Sequence, residues 1–95
     1  MYPDAQAISQ LKDESASYYY SDPARALQIA LQARLLAEQI GTPEAHAIGL
    51  WTEANARAFL DQWSEAVVLF DQAGALFDRV SDPVDKARMQ VGLVY

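Results

Sequence analysis

A single histidine, His46, is the first place to look for acid–base or metal chemistry, and it stands alone. It falls in the first turn of a helix. There is no second histidine and no cysteine, so the ligand spacing that zinc requires is missing. Asp13–Glu14 and Asp82/Asp85 are the nearest approach to paired carboxylates, and helix surfaces and caps account for both. The serines lie outside any nucleophile elbow, and no glycine-rich loop is present to cradle a phosphate. The residue types therefore support no catalytic set, no metal site and no cofactor. Function is left to shape and surface.

Those surfaces belong to a chain of 95 residues, the length of one small domain. Its hydrophobic fraction of 52% is mostly Ala, Leu, Val and Ile, enough for a packed core and too much for a disordered tail. Abundant Ala with only four Gly and four Pro favours helix over sheet. The N-terminal stretch lacks the basic and apolar regions of a signal peptide, and no apolar run approaches the roughly 20 residues of a membrane span. A cytoplasmic location without membrane contact is the expectation. The net charge is −6 and the basic residues are scattered, so the surface repels phosphates and argues against nucleic acid as a partner.

The chain repeats itself. At an offset of forty residues, Pro3 aligns with Pro43, Ile8 with Ile48, Ala26 with Ala66, Ala33 with Ala73, Leu36 with Leu76 and Pro43 with Pro83. Conservative pairs such as Tyr19/Phe59, Ile29/Leu69 and Ile40/Val80 fill in without a gap. The prolines mark helix starts, each with a capping residue before it: Asp22–Pro23, Thr42–Pro43 and Asp82–Pro83. The expected architecture is all-α, a single domain of antiparallel helical hairpins. Repeat 1 covers about 3–42, repeat 2 about 43–82, and a half repeat 83–95. About five helices follow, near 4–20, 23–40, 43–60, 63–80 and 83–95. The fourth carries a wide apolar stripe from Ala66 to Val80 and should be the most buried, whereas the third, with Ala47, Leu50, Trp51, Ala54 and Ala58, is narrow.

Small residues at Ala54, Ala66 and Ala73, with aromatics at Trp63 and Phe70, resemble the tetratricopeptide repeat. In the first copy Ala26, Ala30 and Ala33 hold the corresponding places, and Pro23 stands where the turn aromatic belongs. The resemblance implies an α-solenoid fragment, here with a forty-residue period in place of the family's 34. Glu53 and Arg57 depart from the family's apolar pattern, and Asp61 replaces its turn glycine. Asp82–Pro83, Ala87, Arg88, Gly92, Leu93, Val94 and Tyr95 resemble, more narrowly, the arrays that precede CHAT-type caspase-like peptidases and those of large bacterial signalling regulators.

By that resemblance the first helix of each hairpin lines a concave groove for a protein or peptide partner, faced by Lys12, Ser15, Tyr19, Trp51, Thr52, Asn55, Arg88 and Gly92. Asn55 is placed to hydrogen-bond a peptide backbone, and Trp51 is either a groove anchor or core packing. Trp63 is expected to pack as the turn aromatic, and one or two of Tyr18–Tyr20 to cover the end of the core. Arg57 and Arg88 either meet an acidic partner or make weak surface ion pairs. The apolar run Val91, Leu93, Val94 and Tyr95 points to an excerpt of a longer array or to self-association into a homo-oligomer. The leading function is therefore a protein-interaction scaffold. The alternatives are a dimerisation element and the sensory arm of a larger peptidase or ATPase regulator.

Overall fold

The computed structural model describes residues 5–80, with side chains described for 6–78. Within them the chain is all-α: α1 (Ala5–Ala16), α2 (Pro23–Ile40), α3 (Pro43–Phe59) and α4 (Trp63–Val80). The expected helix over 83–95 lies outside the described residues. None of the described helices is long and apolar enough to cross a membrane.

The local chemistry of each boundary is visible. Asp22 caps α2, its carboxylate accepting from the Arg25 backbone N–H at 3.2 Å, and Pro23 follows in the first turn. Thr42 does the same for α3, its hydroxyl accepting from the Ala45 N–H at 3.2 Å ahead of Pro43. Gly41 closes α2 at φ 79°, a left-handed conformation natural to glycine, and donates its N–H to the Ala37 carbonyl at 2.9 Å. Asp61 adopts φ 62° in the α3–α4 turn, a left-handed conformation that asparagine and aspartate tolerate better than most residues. The following Gln62 N–H closes that turn on the Arg57 carbonyl at 2.9 Å.

The first helix is shorter than the sequence suggests. It stops at Ala16 rather than near 20. Ser17 turns its hydroxyl back onto the Glu14 carbonyl at 2.6 Å, and the Ser17, Tyr18 and Tyr19 amides each reach a carbonyl three residues back. Side-chain competition for helix carbonyls of this kind ends helices.

Packing places α3 at the centre, in contact with α1, α2 and α4. Among the described helices, α3 and not the expected α4 is the most enclosed. Ala45, Ala47, Gly49, Leu50, Thr52, Glu53, Ala54 and Ala56 of α3 are all buried, on more than one side of the helix. Small residues make that possible. Ala26, Ala30, Ala33 and Ala37 form a fully buried seam on α2. A Cβ added at Gly49 would lie 3.2 Å from the Ala37 Cβ and 3.3 Å from the Arg34 Cδ, so the two helices meet about as closely as side chains allow. Ala66, Phe70, Ala73 and Phe77 form the matching seam on α4, packed against Ala47, Leu50 and Ala54 of α3. The α2 and α4 seams are forty residues apart position by position. Trp63, by contrast, is 54% exposed and does not fill the turn as expected. It begins a helix whose neighbouring Val67 and Val68 are equally open.

Candidate functional site

The sequence singled out the face where α1 meets α3. Lys12 and Trp51 do come together there: the ammonium sits 5.4 Å from the indole centroid, a cation–π contact. Trp51 packs beside Leu50, Ala54 and Phe70, which makes it half core and half surface. Its indole N–H is buried without an acceptor among the described residues. Asn55, one turn on, donates from Nδ2 to the Trp51 carbonyl at 3.1 Å. Among the described residues its second N–H and its carbonyl oxygen have no partner, the pair a peptide backbone would need.

Two of the expected groove residues are enclosed. Ser15 and Thr52 are both 0% exposed, so neither offers a surface to a partner. Each small hydroxyl is satisfied inside the protein. Ser15 donates to the Ala26 carbonyl at 2.8 Å, tying α1 to α2, and Thr52 donates to the Ile48 carbonyl at 2.7 Å within α3. Replacing Ser15 by Ala is expected to lower stability by about 1 kcal/mol, the net worth of one buried hydrogen bond. A thermal melt should show a drop of several degrees for a domain of this size; an unchanged melting temperature would mean the tether carries no weight.

Tyr19 stacks on Phe59, with ring centroids 4.6 Å apart and planes 15° from parallel, and Tyr20 meets the same ring edge-on at 5.0 Å. Tyr18 and Tyr19 cover the Ala26, Ala30 and Ala56 cluster, as expected for the end of the core, while Tyr20 is exposed. Burial pushes the Tyr19 phenol up to about 12, against a smaller opposing pull from its hydrogen bond to Ser15. Tyrosine is charged when deprotonated, so a raised folded-state value favours the neutral phenol. Its contribution is complete below the ordinary value of 10.0 and is lost as pH rises from there towards 12. Alkaline unfolding should therefore be steeper in the native chain than in Tyr19→Phe over that window, measured by circular dichroism. Identical slopes would contradict it.

Sequence reasoning missed a second constellation. Glu53, whose side chain is 7% exposed, accepts from Arg34 Nη1 at 2.6 Å and from Arg57 Nε at 2.5 Å. Arg57 extends the chain to the Gln62 side-chain oxygen at 2.7 Å. Arg57 is thus engaged within its own fold rather than waiting for an acidic partner. The i,i+4 spacing of Glu53 and Arg57 was a signal for half of this cluster. Arg34, nineteen residues away, gave none. An open cleft of about 430 Å³ lies beside it, lined by Glu53, Arg57, Ser64, Glu65, Val68, Leu69 and Gln72. Trp51 and Glu53 are two positions apart, about 200° around the helix, so this cleft and the Lys12–Trp51 face lie on opposite sides of α3.

Arg88, Gly92 and the self-association residues Val91, Leu93, Val94 and Tyr95 lie outside the described residues. Comparison with known protein families, curated proteins and solved structures finds no match for this chain.

Proposed function

We propose that the chain is a protein-interaction module, a tetratricopeptide-like solenoid fragment that holds a partner segment against the α1–α3 face. The observation that supports this best is the recurrence of burial at forty residues. Ala26, Ala30, Ala33 and Ala37 on α2 reappear as Ala66, Phe70, Ala73 and Phe77 on α4. A unit that buries the same positions twice is a stacking unit. In support, α1 lies beside α3 and Lys12 meets Trp51 there; in this reading Tyr19 and Asn55 complete the face. Lys12 supplies a charge, Trp51 an aromatic wall, and Asn55 a free amide edge for an extended backbone.

Selection from a random peptide library tests this. Peptides that bind the native chain should lose about tenfold in affinity with Asn55→Ala, the size of one lost polar anchor. The melting temperature should stay unchanged, because Asn55 is only half-buried. Failure to enrich any peptide, or full binding by the variant, would contradict the reading. The location proposed with it is the cytoplasm.

A further inference from the structure

Three residues set how closely α2 lies against α3. Arg34 on α2 faces Gly49 on α3: a Cβ added at Gly49 would meet the Arg34 Cδ at 3.3 Å and the Arg34 Cα at 3.4 Å. The same guanidinium reaches Glu53, one turn further along α3, at 2.6 Å. A large residue on α2 thus goes with a glycine opposite it and a buried anion beside that glycine. Forty residues on, all three positions change together. Gly74 on α4 stands where Arg34 does, Met89 where Gly49 does, and Leu93 where Glu53 does. The large residue has moved to the other partner, so Met89 can fill from one side the volume that Arg34 fills from the other. Glu53 can be buried only against a cation, and the copy without the arginine has leucine in its place.

Gly74 points the same way. A glycine inside a helix is destabilising relative to alanine. At Gly49 the close approach of a neighbouring helix accounts for it. Gly74 lies in the middle of α4 and is partly buried, and a helix laid over it gives the same account. Ala45 and Ile48, which pack beside Ala33 and Ala37, are replaced by Asp85 and Arg88, opposite charges three residues apart that satisfy each other on a helix. We infer that residues 83–95, which lie outside the described residues, dock on α4 as α3 docks on α2, with Met89 and Leu93 seated over Gly74. The occupant is this chain's own segment because the spacing matches: Pro83 follows the end of α4 at Val80 by three residues, as Pro43 follows the end of α2 at Ile40. Leu93 is then committed within its own chain instead of to the self-association expected of it from sequence. The inference stands whether or not the α1–α3 face binds a partner.

Amide hydrogen exchange on the full chain tests this. The amides of residues 87–93 should exchange at least about tenfold more slowly than in a synthetic peptide of residues 81–95, at any protein concentration. Gly74→Arg should abolish that protection, because the new side chain takes the seat of Met89. The amides of α1 to α4 should keep theirs, since arginine is a better helix former than glycine. Leu93→Asp, which leaves α4 untouched, should release the segment in the same way. The triple variant Gly74→Arg, Met89→Gly and Leu93→Glu rebuilds the arrangement of Arg34, Gly49 and Glu53, and should regain most of the protection. Exchange as fast as in the free peptide, or protection that Gly74→Arg and Leu93→Asp leave intact, would overturn the inference. A triple variant that regains nothing would overturn it too. Protection that falls away on dilution would seat the segment on a second copy and overturn docking within one chain.

Discussion

Phe77→Ala is expected to cost about 3–5 kcal/mol, the usual range for emptying a buried aromatic site. Phe77 is 2% exposed and is the largest fully buried side chain described. It sits in one cluster with Ala47, Leu50 and Ala73. Ala47 and Ala73 are too short to collapse into the space, which leaves any filling to Leu50 and the partly buried Ile48, Trp51, Leu69 and Leu76 around the cluster. A domain of this size has a total stability of roughly 5–14 kcal/mol, so the loss is a large share of it. Urea unfolding followed at 222 nm should show the midpoint falling with little change in slope. A loss under about 1 kcal/mol would mean that α4 does not pack on α3 through this ring.

Glu53→Ala is the second large effect, and it works through charge. The carboxylate holds two guanidinium groups at 2.6 and 2.5 Å, and removing it leaves both without their anion. Stripping one partner from a buried pair costs about 3–5 kcal/mol. Here the arginine side chains keep 28% and 24% exposure and can turn partly to water, so about 2–3 kcal/mol is expected. The Arg34 Nε is already buried without an acceptor among the described residues, which adds to the penalty of disturbing its neighbour. The same denaturation experiment at low and high salt decides the matter. A buried network gives a loss that salt barely changes, whereas a loss under about 1 kcal/mol that salt abolishes would mark a surface pair.

Glu53 also shows where sequence reading stopped. A charge within an apolar helix pattern reads as a solvent face. Its burial depends on a partner from another helix, and that pairing exists only once α2 lies against α3. Ser15 and Thr52 posed the same problem, because a small hydroxyl looks identical whether it faces a groove or a buried carbonyl. The starts of α2 and α3 were legible because proline and a capping oxygen fix a helix start locally. The end of α1 was not, since Ser17 competes for the Glu14 carbonyl inside a run that otherwise continues the helical pattern. The centrality of α3 was hidden by composition. Alanine and glycine permit close approach on several sides while scoring weakly as an apolar stripe, whereas α4 scores strongly yet leaves Val67 and Val68 open. Of the candidate site, Lys12 and Trp51 lie together. The Glu53 cleft had to be seen.

The central claim is that α1 and α3 together form a partner-binding face. It is tested most directly by the amide footprint of a library-selected peptide on the full chain. The expected result is a contiguous set of shifts spanning both helices, centred on Lys12, Tyr19, Trp51 and Asn55. Shifts confined to one helix, or a peptide that binds while leaving those four positions unmoved, would contradict it.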